Sequence, residues 1–133
     1  MKKIFLLLSL SLVLAGCHES LEKRAAREAR EFTEKMCPTP VVNNTRTDSI
    51  GFDEENRTLT YYHTFVGPAD NKEAIDASRE QLVDVLRKAV REDVANKLYK
   101  EAKFNFRYVY HSQKEPQRVL LDITYTEKDY KQQ

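Results

Sequence analysis

Apolar positions along the chain recur with two different periods, which predict alternating helices and strands. Between residues 20 and 36 the apolar side chains stand three or four residues apart, the spacing of one helix face. They are Leu21, Ala25, Ala29, Phe32 and Met36. Cys37-Pro38-Thr39-Pro40 follows, and prolines end a helix because they lack a backbone donor and restrict the preceding residue. A helix over residues 20–36 is therefore predicted.

Two segments with strict alternation of polar and apolar residues predict β-hairpins. The first spans residues 45–66 around the polar turn Asp53–Asn56, and in its second strand Leu59, Tyr61, His63 and Phe65 share one face. The second spans residues 103–126 around a turn at Gln113–Gln117. An isolated hairpin is only marginally stable in water, so we expect all four strands to join in one sheet.

A long helix is predicted over residues 71–98, between the hairpins. Its apolar residues from Leu82 to Leu98 are spaced by four throughout, which rotates the stripe by about 40° per step. A bend or break is therefore expected near Arg91–Asp93. The order α-β-β-α-β-β predicts an α+β fold with a four-stranded antiparallel sheet and two helices on one face. Residues 127–133 are predicted to be a frayed tail.

The N-terminus has the pattern of an export signal. Lys2 and Lys3 precede an apolar run over residues 4–15, which is shorter than the roughly 20 residues of a membrane span. Leu14-Ala15-Gly16-Cys17 resembles the lipobox of bacterial lipoproteins, in which cleavage precedes a cysteine that carries the lipid. The alternative is an ordinary signal peptide with an incidental cysteine. We predict a signal peptide over residues 1–16 and a single α+β domain over residues 17–133.

The net charge of the domain indicates which partners it can bind, and the residue after the lipobox indicates its location. The chain has 22 Lys and Arg against 21 Asp and Glu, and Lys2 and Lys3 leave with the signal peptide. A nearly neutral domain argues against a nucleic-acid partner. By analogy with enterobacterial lipoproteins, His18 in place of Asp after Cys17 implies export to the outer membrane, facing the periplasm.

One cysteine, Cys37, remains besides Cys17. Because a lipidated Cys17 cannot form a disulfide, no bridge within the chain is expected. Cys37 is then either a buried thiol that behaves as a small apolar residue, or an intermolecular disulfide that makes a homodimer.

Several short motifs resemble a family of small, functionally uncharacterised Gram-negative envelope lipoproteins. They are the LAGC lipobox, Cys37-Pro38, TRTDS at 45–49, NRTLTY at 56–61 and FRYVY at 106–110. The resemblance implies an exported α+β domain and no catalytic residues. Family members tend to carry a second cysteine after the long helix; residues 91–103 have none, so a family disulfide does not transfer to Cys37.

Residues that could carry catalysis or bind a metal are few and scattered. His63 and His111 fall on opposite faces of the predicted sheet, so a nucleophile, base and carboxylate triad is hard to assemble. His63, His111, Asp122 and Cys37 lack the spacing of metal-ligand motifs. The chain has only three glycines, so the sequence offers no glycine-rich loop whose backbone N–H groups could bind a phosphate. No cofactor, no metal and no enzyme activity are predicted.

Seven tyrosines are the most unusual feature of the composition. Most are expected to be core or sheet-edge aromatics. The alternative is a binding face on the helix-free side of the sheet, formed by Tyr62, Arg107, Thr60 and Thr124, because Tyr and Arg are enriched where proteins meet. The sequence thus predicts a lipid-anchored, non-catalytic module that binds an envelope protein or polymer. The alternative function is an inhibitor or immunity-type lipoprotein that protects against a toxin or hydrolase.

Overall fold

The computed structural model describes residues 19–131, so Cys17 and the signal peptide lie outside the described residues. A short 3₁₀ turn, Gly67–Ala69, separates the first two strands from the helices that follow. The remaining elements are α1 (Leu21–Met36), β1 (Thr45–Asp53), β2 (Thr58–Phe65), α2 (Lys72–Ala77), α3 (Arg79–Glu92), α4 (Lys97–Glu101), β3 (Asn105–Ser112), β4 (Val119–Tyr125) and α5 (Glu127–Tyr130).

The strands form one sheet in the order β1-β2-β3-β4, which confirms the predicted four-stranded α+β fold. The pairs β1–β2 and β3–β4 are antiparallel hairpins. The central pair, β2 and β3, is parallel, so the prediction of a fully antiparallel sheet is wrong in this detail. The reason is the helical connection α2–α4, which returns the chain to the starting end of the sheet, as a crossover between parallel strands must.

The outer edge of β1 is closed by the segment that precedes it. The Thr33 hydroxyl donates to the carbonyl of Ile50 at 3.0 Å and accepts from its N–H at 2.8 Å. Three residues earlier on β1, the Thr39 N–H donates to the carbonyl of Thr47 at 3.0 Å, and the Thr39 hydroxyl accepts from the Thr47 N–H at 2.9 Å. These bonds replace the neighbour that an edge strand lacks, and they fix the end of α1 to the sheet.

The core lies between one face of the sheet and the helices, which places both long helices on the same face as predicted. Ala25 and Ala29 of α1 and Val90 of α3 belong to one buried cluster with residues of the sheet. The largest fully buried side chains in the described residues are Tyr125, Phe104, Phe106 and Leu121. Small alanines on α1 let its backbone approach the aromatic side chains closely.

The segment predicted as one helix over residues 71–98 is three helices. Ser78 separates α2 from α3, and α3 ends at Glu92, at the predicted bend. The Asp93 carboxylate accepts from the Ala95 N–H at 2.9 Å and the Asn96 amide at 2.6 Å. Such local side-chain bonds compete with helix continuation, which explains the break.

Residues 127–130 form a helix, so the predicted frayed tail is wrong there. Thr126 and Asp129 cap α5 reciprocally, as in a capping box. Tyr130 is buried, and its hydroxyl donates to the carbonyl of Phe104 at 2.8 Å. A four-residue helix is too short to show a helical repeat of apolar residues in the sequence, and this one is fixed to the core by the single side chain of Tyr130.

Candidate functional site

Three of the four residues predicted to form a binding face lie together on the helix-free side of the sheet. They border a shallow polar depression of about 490 Å³. Its lining comprises Asp53, Asn56, Thr58, Thr60, Arg107, Asp122 and Thr124. Thr60 is only 8% exposed, so the depression offers mainly the side chains of Arg107, Asp122 and Thr124 to a ligand. We call this surface the open face.

A bidentate ion pair dominates the open face. Arg107 donates from Nε to Asp122 Oδ1 at 2.9 Å and from Nη2 to Oδ2 at 2.6 Å, across the β3–β4 pair. The bond from Arg107 lowers the pKa of Asp122. Because these two charges satisfy each other, Asp53 is the remaining charged side chain in the lining of the depression. Tyr62, the fourth predicted residue, packs over Gly51 on β1 and is half-buried.

A second concave surface, not predicted from the sequence, lies on the helical side of the sheet between α1 and α4. It has a volume of about 280 Å³ and is lined mostly by apolar atoms. The lining residues are Ala25, Glu28, Ala29, Phe32, Ile50, Leu59, Tyr61, Ala95, Asn96 and Tyr99. Phe32 projects from α1 with 37% of its surface exposed. We call this surface the groove.

Beyond the groove, a row of stacked aromatic rings continues from Tyr61 along β2 and β3. The ring of Tyr61 lies 5.0 Å from that of Tyr108, and His63 lies 4.7 Å from Tyr110, which stacks on Phe65 at 4.5 Å. Alternation on parallel neighbouring strands places these side chains in register on one face. Phe65 and Tyr110 are buried, at 7% and 8% exposed, so these rings support Tyr61 from within the core.

Two polar side chains, one in the groove and one beyond it on β2, are partly buried and hydrogen-bonded. The Tyr61 hydroxyl accepts from the Asn96 amide at 3.0 Å, and burial raises the pKa of Tyr61 to about 12. His63 lies 3.1 Å from the Thr47 hydroxyl, and burial lowers the pKa of this imidazole. Both side chains are therefore neutral at pH 7 and contribute shape and hydrogen bonding, not charge.

The α1 wall of the groove carries one charged group, Glu28. It accepts from the Tyr99 hydroxyl at 2.6 Å and from Arg24 Nε at 2.7 Å. Burial alone would raise the pKa of Glu28, but these two bonds and the nearby arginines lower it overall. The bond to Tyr99 also ties α1 to α4, so it sets the width of the groove.

Cys37 is a free thiol that is partly buried at the end of α1. Burial, with a smaller effect of the Asp48 carboxylate, raises the pKa of Cys37. A raised pKa reduces the thiolate fraction at neutral pH, and the thiolate is the nucleophile in disulfide chemistry.

The histidines do not come together in the described part of the chain. His63 faces the helices, whereas His111 shares the open face with Arg107, as their strand positions require. No three His, Cys, Asp or Glu side chains of residues 19–131 gather as a metal site would require. None of the helices in that range is long and apolar enough to cross a membrane.

The sequence matches two family models. Residues 20–121 match the family described as Domain of unknown function (DUF8479). The chain belongs to this family. Residues 1–17 match the prokaryotic membrane lipoprotein lipid attachment site, which ends at Cys17. This match confirms the predicted lipoprotein character. No curated protein matches the sequence.

Solved structures of three bacterial proteins share the fold. The Pseudomonas aeruginosa protein PA3611 superposes with a TM-score of 0.66 at 8% identity, over 85% of this chain and 99% of that one. The type 2 secretion system pilotin EpsS of Vibrio vulnificus gives 0.63 at 13% identity, over 84% and 93%. The type II secretion system pilotin AspS of Vibrio cholerae gives 0.58 at 12% identity, over 81% and 90%. At these identities the likeness establishes the fold.

Proposed function

We propose that this family member is a non-catalytic binding module, anchored by Cys17 in the outer membrane and facing the periplasm, whose groove holds a segment of an envelope protein. The single observation that carries the proposal is the groove itself: an apolar, aromatic-floored concavity between α1 and α4 with Phe32 exposed at its wall. Such a surface costs free energy while it faces water, and a partner that covers it recovers that free energy.

The groove suits a protein partner better than the open face does. Binding energy at protein interfaces is concentrated in central apolar and aromatic contacts that exclude water. The groove offers Phe32, Ile50 and Tyr61 for such contacts. The open face offers an ion pair that is already satisfied internally, so a ligand there would have to match Arg107 and Asp122 without gaining a new charge contact.

The fold supports a secretion-system subunit as the first partner to test. Two of the similar structures are pilotins of type II secretion systems. The tether is also consistent with this role, because a module fixed to the membrane meets an envelope partner at a high effective concentration.

Co-purification from intact envelopes tests the proposal with three matched variants of the tagged lipoprotein. Phe32→Asp alters the groove, Tyr62→Ala alters the open face, and Val85→Asp alters an exposed apolar residue of α3 that does not line the groove. We expect Phe32→Asp to lose a specific partner that the other two variants retain. Loss with Tyr62→Ala instead would move the site to the open face, and retention by all three would refute the groove.

A further inference from the structure

A basic surface lies on α4 and α5, at the end of the molecule where α1 begins and the chain leads back to Cys17. Its lining comprises Arg91, Lys97, Lys100, Glu101, Lys103, Glu127, Tyr130 and Lys131. Five of these side chains are basic and two are acidic. The ion pairs that involve the acids, Lys97–Glu101 and Lys131–Glu127, are long at 3.9 Å, and both lysines are well exposed, so the acids neutralise them weakly. We call this the α4–α5 surface.

Apolar side chains accompany these charges. Leu98 on α4 is 49% exposed, and Val94 in the turn before α4 is 85% exposed. Neither residue belongs to the buried clusters of the described chain. Basic residues beside exposed aliphatic ones are typical of surfaces that lie in the headgroup region of a membrane.

The lipid anchor starts from the same end of the molecule. Arg57 holds this end together: its Nη2 donates to the carbonyl of Ala102 after α4 at 2.7 Å, and its Nε lies 3.2 Å from Glu22 in the first turn of α1. Only four residue steps separate Cys17 from Leu21, the first residue of α1. Even fully extended, they reach no more than about 14 Å. The leaflet that holds the lipid is therefore close to α4.

We propose that the α4–α5 surface rests on the anionic phospholipid leaflet in which the Cys17 lipid is inserted. The inference deepens the proposed function, because it rests on lipidation of Cys17. Anionic phospholipid is the expected partner of this surface, because its charge is opposite to that of the lysines and the short tether keeps the surface close to the leaflet. The β1–β2 turn at the same end of the sheet carries Asp53, Glu54 and Glu55, so anionic headgroups repel that side and the molecule lies on its α4–α5 side.

Docking through the α4–α5 surface fixes the orientation of the domain relative to the membrane. The inner side of α4 lines the groove through Tyr99, and its outer side carries Lys97 and Leu98. The membrane would thus support the wall of the groove that α4 forms. The opposite end of the sheet, with the β3–β4 turn and Cys37, would point away from the leaflet.

Site-specific fluorescence on the acylated lipoprotein tests the proposal. Single cysteines replace Leu98 or, as the matched control, the exposed Val85 of α3, both in the Cys37→Ser background, and each carries an environment-sensitive dye. The protein is reconstituted in vesicles of phosphatidylethanolamine with phosphatidylglycerol, or of phosphatidylcholine alone. We expect a blue-shifted dye at position 98, quenched by lipid-attached quenchers, in the anionic vesicles only, and no shift at position 85.

Charge removal provides the second measurement. Each basic residue near an anionic surface changes the docking equilibrium constant roughly fivefold, so Lys103→Gln with Lys131→Gln should reduce it about twenty-five-fold. Lys72→Gln with Lys114→Gln, at the opposite end of the sheet, should leave it unchanged. Equal spectra at positions 98 and 85 in anchored protein would overturn the docking proposal, and the proposal that the groove binds a protein partner would stand. Failure of the protein to float with vesicles would overturn the anchor and the docking together.

Discussion

Arg57 is the residue whose removal tests the packing of the tethered end most sharply. It has a positive φ of 52°, at the start of β2. Its guanidinium lies 4.7 Å from the centre of the fully buried Phe104 ring and donates to Ala102 O at 2.7 Å. The Nε atom is close to Glu22, at 3.2 Å, but is not aligned for a hydrogen bond. Arg57→Ala would therefore remove polar contacts that link the start of β2 to the ends of α1 and α4.

The cost of Arg57→Ala follows from these contacts. A hydrogen bond from a charged donor is worth about 1.5–3 kcal/mol, a cation–π contact about 0.5–1 and a partly exposed ion pair about 0–1. We expect the free energy of unfolding to fall by about 3 kcal/mol. For a domain of roughly 100 residues, this corresponds to a fall in Tm of about 12 °C.

Thermal and urea unfolding, followed by circular dichroism, measure this effect. Arg57→Gly removes the same contacts but relieves the positive φ, so it should be about 1 kcal/mol more stable than Arg57→Ala. Lys88→Ala, which removes a well-exposed lysine of α3, serves as the control and should change stability very little. A fall in Tm for Arg57→Ala no larger than that of the control would refute the assigned role of this side chain.

Three further predictions concern α5, His63 and the free thiol. Tyr130→Phe leaves the Phe104 carbonyl without its partner and should cost about 1–2 kcal/mol in urea unfolding; an unchanged midpoint would contradict the anchoring of α5. Because burial lowers the pKa of His63 below 6.5, its contribution to stability is complete above pH 6.5 and is lost as the pH falls towards the folded-state pKa. Tm measured against pH should therefore decline more steeply below pH 6.5 in the parent than in His63→Gln, and parallel profiles would be the opposing result. If Cys37 bridges two copies, non-reducing electrophoresis of envelopes will show a dimer that Cys37→Ser abolishes; monomer alone would exclude the bridge.

The periodic parts of the fold were predictable from the sequence because each has a long repeating signal. The stripe from Leu21 to Met36 and the alternation of β2 identify a helix and a strand by their periods alone. The direction of β3 relative to β2 is not encoded in alternation, since a strand has the same pattern read either way. It depends on how the crossover helices pack, which is a tertiary property.

The groove was not predictable for a related reason. Phe32, Ile50, Tyr61 and Tyr99 are far apart in sequence, and each has the pattern of a core residue. Whether a core residue is covered depends on where the neighbouring helix ends. Here the break at Asp93 sets where α4 begins, and with it the far wall of the groove. The exposure of Phe32, on a stripe of α1 whose Ala25 and Ala29 are buried, is the feature of the helix that marks the groove.

Photo-crosslinking in living cells tests the central claim most directly. The lipoprotein carries benzoylphenylalanine at position 32 in the groove or, as the control, at position 85 on α3. We predict that irradiation links position 32 to a defined envelope protein and leaves position 85 without that product. Identical products at both positions, or a product at 85 alone, would contradict a groove that binds a protein partner.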